Sequence, residues 1–100
     1  MIYKKAEYKV KKEFVAKAEE IILDFIKQVH TNENDTHVYD AFLGEDGVSF
    51  THFMVFAGSA AEEVHKNTSY VQEFVAALYP LCEVEPVFTR LSPIGNAKNF

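Results

Sequence analysis

The spacing of apolar residues changes several times along the chain, and each change marks a new predicted element. In residues 2–10 apolar side chains fall mainly at alternate positions, which predicts a β-strand. Lys4 interrupts the apolar face, so we expect this end of the strand at a sheet edge or a cavity mouth. From residue 12 the apolar spacing becomes three and four, which predicts an amphipathic helix over about residues 12–30. The helix is expected to end in HTNENDT, residues 30–36, because Asn and Asp favour turns.

Residues 37–43 and 48–57 predict two further strands, joined as an antiparallel hairpin by GEDG at residues 44–47. The second strand is apolar on both faces. One face carries Val48, Phe50, Met54 and Phe56, and the other carries Phe53, Val55 and Ala57. A strand with one face in water alternates cleanly. We therefore expect this strand to be covered on both sides.

Two helix starts follow the hairpin. The segments 59–62 (SAAE) and 69–72 (SYVQ) match the capping box, in which a Ser hydroxyl and a Glu or Gln three residues later cap each other's backbone. The second helix is expected to end near Pro80. A last strand is predicted over residues 83–91, with Pro86 at an edge or a bulge because it has no N–H to donate. Residues 1–92 are predicted to form the domain and residues 93–100 a C-terminal tail.

The predicted order is β-α-β-β-α-β, with the second helix broken in two. Right-handed crossovers make this an α+β, ferredoxin-like fold with a four-stranded antiparallel sheet and both helices on one face. The opposite face would then leave an apolar surface in water. A homodimer that packs sheet on sheet resolves this conflict.

Composition narrows the function classes. One hundred residues suit one domain, and 15 acidic against 10 basic residues give a net charge of −5, which disfavours nucleic acid as a partner. Cys82 is the single cysteine, and no histidine pair has metal-ligand spacing, so neither an intrachain disulfide nor a dedicated metal site is expected. No leader and no membrane-length apolar run is visible, so we expect a soluble cytoplasmic domain.

Several segments resemble the antibiotic biosynthesis monooxygenase (ABM) domains of the dimeric α+β barrel superfamily. Residues 33–39 (ENDTHVY) are similar to the family's Glu-Pro-Gly element and the aromatic that follows it, with Asn and Asp in place of Pro-Gly. Residues 53–56 (FMVF) are similar to its aromatic-Glu-x-aromatic element. His65 follows Phe56 at the family's spacing of nine, and Phe74 matches a later aromatic. The similarity spans about residues 2–92.

The resemblance implies a cofactor-independent site with His65 as catalytic base and Tyr39 as the group that orients the substrate. The substrate pocket it implies is lined by Phe50, His52, Phe53, Met54, Phe56, Phe74 and Leu78. Met54 stands where many relatives have Glu, and Phe56 stands where many have Trp, so the pocket is more apolar than is usual. No bound cofactor or metal is expected.

Each of these candidates also has a structural interpretation. His65 is equally explained as a helix-end histidine with a structural hydrogen bond, and His52 as a core residue of an apolar strand. Tyr8 and Tyr39 are explained by packing with one polar end. Arg90 on the last strand is a candidate for holding an anionic substrate, or a surface charge.

Two functions from different classes follow. The resemblance implies a monooxygenase that acts on a phenolic or quinol-type small molecule. The alternative is a non-catalytic dimeric module that binds a small apolar ligand, for example a small aromatic molecule, or simply assembles. A ligand that raises the melting temperature without oxygen uptake would favour the second.

Overall fold

The computed structural model describes residues 1–99 and contains one antiparallel sheet with its helices on one face. The elements are β1 (Ile2–Val10), α1 (Val15–Asn32), β2 (Thr36–Leu43), β3 (Ser49–Phe56), α2 (Ser59–Lys66), α3 (Ser69–Leu78) and β4 (Cys82–Leu91). Single 3₁₀ turns precede α1 at Lys12–Phe14 and follow α3 at Tyr79–Leu81. The strand order β2-β3-β1-β4 is that of a ferredoxin-like fold, and the predicted α+β class is confirmed.

Residues paired across the sheet define its two faces. Ala6 lies opposite His52, and Tyr8 lies opposite Phe50, on the face towards the helices. This inner face packs on the apolar sides of α1 and α3, and the main core consists of Tyr8, Val10, Ala18, Ile22, Phe50 and Leu78. The outer face carries Tyr3, Lys5 and Phe53, and no helix of the described chain covers it.

Of the two positions expected for Lys4, a sheet edge or a cavity mouth, the structure excludes the sheet edge. β1 is a central strand between β3 and β4, so Lys4 is not at a sheet edge. Its ammonium group instead forms an ion pair with Glu62 at the cavity described below. An aliphatic stem with a charged end explains why a lysine fits among apolar neighbours.

The predicted capping boxes are wrong in both helices. α2 begins after Gly58 without a side-chain cap, and Glu62 pairs with Lys4 and Arg90 rather than with the backbone near Ser59. α3 is capped by Thr68, whose Oγ1 accepts a 3.2 Å hydrogen bond from the Val71 N–H. A cation within reach competes with the local backbone for a carboxylate, and a four-residue pattern does not show that competition.

The hairpin and the last strand follow the sequence closely. Gly47 adopts a positive φ of 76°, which favours glycine, and Asp46 accepts backbone hydrogen bonds from the N–H groups of Val48 and Ser49. β4 is an edge strand, and its pairing with β1 shifts register across Glu85 and Pro86. Pro86 therefore lies at an edge bulge, where a missing N–H costs no ladder bond.

Candidate functional site

A cavity of about 400 Å³ lies between the inner face of the sheet and the helices. This volume falls in the range of small-molecule sites. Its apolar wall consists of Ala6, Phe25, Met54, Phe56, Val71, Phe74, Val75, Pro86 and Phe88. Its polar lining consists of Tyr8, Tyr39, His52, His65 and Tyr79, with Lys4, Glu62 and Lys66 as charged members. The cavity is thus mostly apolar and aromatic, with two histidines in its wall.

His65 belongs to the last turn of α2, and its ring is buried beside Phe25 and Phe56. Its Nδ1 lies 2.8 Å and 3.0 Å from the two carboxylate oxygens of Glu33. A carboxylate only accepts, so Nδ1–H donates, and the lone pair of the neutral ring lies on Nε2. Within residues 1–99 Nε2 has no hydrogen-bond partner, and no fully buried side-chain nitrogen lacks one. Nε2 therefore keeps access to open space, as expected for a basic atom that lines a cavity.

Glu33 is held by more than His65. The carboxylate accepts a hydrogen bond from Thr36 Oγ1 at 2.6 Å and another from the Tyr70 hydroxyl. Burial, together with the nearby Glu33 charge, raises the pKa of Tyr70, so this hydroxyl keeps its proton and donates. Three donors on one buried carboxylate leave it a single orientation, and that orientation holds the imidazole of His65.

Glu33 is a site residue that the sequence patterns did not reveal. It lies immediately after α1, and its partner His65 is 32 residues further along the chain. The only available signal was the resemblance of residues 33–39 to a family element that begins with Glu. Spacing alone does not bring the two residues together.

His52 is enclosed between two tyrosines. Its Nε2 lies 2.7 Å from the Tyr8 hydroxyl, and its Nδ1 lies 2.9 Å from the Tyr39 hydroxyl. Burial lowers the pKa of His52 to about 4 and raises the pKa of both tyrosines above their usual value. All three groups are therefore neutral at physiological pH.

The number of protons shared by Tyr8, His52 and Tyr39 determines which hydrogen-bond donors they present to a ligand. A neutral imidazole has one N–H and one lone pair, so His52 donates to one tyrosine and accepts from the other. The tyrosine that accepts keeps its own hydroxyl proton for a further partner. Since Tyr8 and Tyr39 both line the cavity, one of them always has a donor available to a bound molecule. The other has its proton committed to His52.

At its β1 and α2 side the cavity carries charge. Glu62 is buried, with one carboxylate oxygen 3.0 Å from Lys4 Nζ and the other 2.6 Å from an Arg90 nitrogen. Burial opposes ionisation of Glu62, but the hydrogen bonds from Lys4 and Arg90 and the charges of Lys4 and Lys66 outweigh that effect. The net result is a lowered pKa for this carboxyl group.

Within residues 1–99, no group of three or more His, Cys, Asp or Glu side chains is placed to hold a metal ion. None of the described helices is long and apolar enough to cross a membrane.

Comparison with solved structures identifies the fold. An antibiotic biosynthesis monooxygenase structure superimposes with a TM-score of 0.86 at 14% identity, covering 95% of this chain and all of that one. A proposed antibiotic biosynthesis monooxygenase from Caulobacter crescentus gives 0.86 at 27% identity, covering 94% of this chain and 90% of that one. One from Nitrosomonas europaea gives 0.87 at 12% identity, covering 95% of this chain and all of that one. No family model and no curated protein matches the sequence.

The chain has the ABM-domain fold. Within this ABM fold, most of the predicted site residues meet at the cavity. Those that line it are Tyr39, His52, Met54, Phe56, His65 and Phe74. Their roles remain predictions, but their convergence is a property of the structure.

Three predicted pocket residues do not line the cavity of this ABM fold. Phe53 points to the outer face, where it borders a separate depression with Tyr3 and Leu91. Phe50 and Leu78 are on the inner side but belong to the packed core, with Phe50 stacked on Tyr8. Phe53 and Phe56 are three residues apart on one strand, so they point in opposite directions.

Proposed function

We propose that this protein is a cofactor-independent monooxygenase that oxidises a phenolic or quinol-type small molecule with molecular oxygen. The observation that carries this proposal is the His65–Glu33 pair. The carboxylate takes up the Nδ1 proton and leaves the basic Nε2 unpaired in an apolar cavity. The similarity to structures described as antibiotic biosynthesis monooxygenases supports the same general kind of activity.

His65 suits the role of base better than His52 does. Both rings are buried and line the same cavity. Both nitrogens of His52 are already bonded to tyrosines, and burial keeps its pKa at about 4. His65 has one nitrogen free, and the carboxylate on its other side stabilises the imidazolium that forms when it takes a proton.

The proposed reaction needs only the substrate and oxygen. His65 Nε2 takes the phenolic proton, and the electron-rich phenolate passes one electron to O₂, giving a phenoxyl radical and superoxide. These combine to form a C–O bond. The resulting peroxide anion takes the proton back from His65 and becomes a hydroperoxide. The carbon that bears it then loses its hydrogen as a proton, the O–O bond breaks to leave a carbonyl, and the released hydroxide combines with that proton to form water. For a hydroquinone the balance is hydroquinone plus O₂ giving hydroxyquinone plus water.

The rest of the cavity orients and protects the substrate. Tyr39, whose ring centroid is 5.7 Å from that of His65, is proposed to donate its hydroxyl proton to a substrate oxygen. The hydrogen bond to His52 holds this hydroxyl in place. Phe25, Phe56 and Phe74 provide an apolar wall that keeps water from the radical pair.

Oxygen consumption with a panel of substituted hydroquinones tests this proposal. His65→Ala is expected to lower the rate by about a hundred- to ten-thousandfold, the usual contribution of a general base. His30→Ala is the matched control, because His30 is exposed on the last turn of α1. Both variants are first compared with the wild type by circular dichroism and light scattering.

The alternative outcomes are distinct. Equal rates for wild type and His65→Ala would remove His65 from the mechanism. If no hydroquinone is consumed above the buffer rate, the monooxygenase proposal fails. A ligand-dependent rise in melting temperature in that case supports a binding module.

We also propose that the protein works as a homodimer that packs sheet on sheet. The outer face carries apolar side chains in water, among them Phe42 and Val87, which are 56% and 61% exposed. Exposed apolar side chains on a sheet face that no helix covers support an interface there. Light scattering is expected to give twice the mass of the chain, and Phe42→Glu is expected to shift the equilibrium to monomer. A wild-type monomer at micromolar concentration would contradict the proposal.

A further inference from the structure

Three cations surround one carboxylate beside the cavity. Lys4 on β1 and Arg90 on β4 are direct cross-strand neighbours, and each binds a different oxygen of Glu62. Lys66 lies one turn after Glu62 on α2, lines the same cavity and contributes to the lowered pKa of Glu62. The local balance is therefore three positive charges against one negative. In a chain of net charge −5, such a surplus is a local exception.

Two of the three cations are accessible. Arg90 has a side chain that is 60% exposed, and its ion pair with Glu62 uses one nitrogen of a guanidinium group that carries five N–H donors. Lys66 is exposed, and within residues 1–99 it forms no ion pair. Lys4, in contrast, is mostly buried and committed to Glu62. Glu62 thus holds Lys4 and Arg90 together, while Lys66 and the rest of Arg90 remain available.

The charged side also adjoins aromatic surface. The Lys4 ammonium lies 5.2 Å from the centroid of the Phe88 ring, and Phe88 lines the cavity although it is 54% exposed. An exposed aromatic ring beside a surplus of positive charge suits a ligand that is itself aromatic and negatively charged.

We infer that the cavity binds an aromatic acid, with its carboxylate at Lys66 and Arg90 and its ring in the apolar part of the cavity. The inference rests on the proposed function only in that a phenolic hydroxyl of the same molecule would be directed towards His65. It adds the class of substrate, a phenol or quinol that carries an anionic group. Arg90, a candidate for anion binding by sequence, and Lys66, which was not, are then specificity-determining residues.

Binding without oxygen tests this inference separately from catalysis. The probes are 2,5-dihydroxybenzoate and its methyl ester, measured by titration calorimetry under anaerobic conditions at low salt. The acid is expected to bind more tightly than the ester, because partly exposed ion pairs contribute up to about fivefold each. Lys66→Met and Arg90→Met should each lower the affinity for the acid by about that factor and leave the affinity for the ester unchanged.

One further variant is expected to change the affinity for the acid in the opposite direction. Glu62→Gln removes the negative charge that offsets the cations, so it is expected to strengthen binding of the acid by about fivefold. Lys27→Met is the control, because it removes one exposed lysine of α1 that does not line the cavity. Raising the salt concentration should lower the affinity for the acid and leave the affinity for the ester unaffected.

Equal affinities of acid and ester would overturn the inference, as would loss of acid binding in Glu62→Gln or failure of both probes to bind at millimolar concentration. Charge-dependent binding without oxygen uptake would sustain this inference and overturn the proposed oxygenase. Oxygen uptake with the ester alone would do the reverse.

Discussion

The two histidines of the cavity differ in how their ring nitrogens are used. His52, in the middle of β3, is hydrogen-bonded on both sides by Tyr8 and Tyr39. Among residues 1–99, His65 at the end of α2 is bonded on one side only, by Glu33. Burial is similar, at 1% and 8% exposure. The two histidines therefore differ in hydrogen bonding: both ring nitrogens of His52 have partners, whereas His65 keeps a basic nitrogen without one.

A carboxylate and a phenol act differently on a neighbouring imidazole. A carboxylate only accepts, so it selects one tautomer of His65. A phenol both donates and accepts, so two tyrosines accommodate either tautomer of His52. Neither tyrosine carries a charge to stabilise an imidazolium, and burial disfavours that form.

The largest expected effect comes from removing the carboxylate beside His65. In Glu33→Gln the amide NH₂ can donate to Nδ1, which moves the ring proton to Nε2 and removes the basic lone pair. We expect oxygen consumption to fall by about a hundred- to ten-thousandfold. Nitrogen NMR shifts of the imidazole, measured on the same variant, are expected to report the other tautomer.

Thr36→Val is the matched control for that variant, since it removes one hydrogen bond from Glu33 and leaves the carboxylate on His65. It should keep the wild-type tautomer and most of the rate. If Glu33→Gln retains both the tautomer and the rate, the contrast between the two histidines has no bearing on catalysis.

A second effect concerns His52 and acid. Burial lowers its pKa from the ordinary 6.5 to about 4, so between these values the unfolded chain binds a proton that the folded chain does not. Stability from this group is therefore complete above pH 6.5 and is lost as the pH falls towards 4. At about 1.4 kcal/mol per pKa unit, the loss is on the order of 3 kcal/mol.

Urea unfolding at pH 7 and pH 4.5, at one protein concentration, measures this loss. His52→Gln should remove most of the difference attributable to His52, whereas His30→Ala should leave it unchanged because His30 is exposed. A pH dependence of wild type that is identical in His52→Gln would show that His52 is not the neutral buried group described here.

The smallest effect is expected from the tyrosines. Tyr8→Phe and Tyr39→Phe each leave one nitrogen of His52 without a partner, which should lower the free energy of unfolding by about 1–3 kcal/mol. Tyr3→Phe is the control, since its hydroxyl is exposed on the outer face, and it should stay within about 0.5 kcal/mol of wild type. Full stability of both cavity variants would mean that the chain Tyr8–His52–Tyr39 contributes nothing to the fold.

Local patterns predicted much of the fold, because periodicity records which side of an element is buried. The alternation in residues 2–10 and the helical spacing after residue 12 correspond to β1 and α1. The Asp46–Gly47 turn and the edge position of Pro86 follow from the conformations those residues favour. Because side chains alternate along β3, Phe53 and Phe56 lie on opposite faces. A predicted pocket that includes both residues conflicts with this alternation.

The sequence by itself determined the order and type of the elements and the apolar character of the inner face, because these depend on neighbours within one or two turns of chain. Only the tertiary structure decided which polar groups meet. The sheet order places Lys4 beside Arg90, and the α2 packing brings Glu62 to both and His65 to Glu33. Ion pairs and hydrogen bonds act within about 3 Å, and no spacing along the sequence specifies a contact of that range between residues 28 to 58 positions apart.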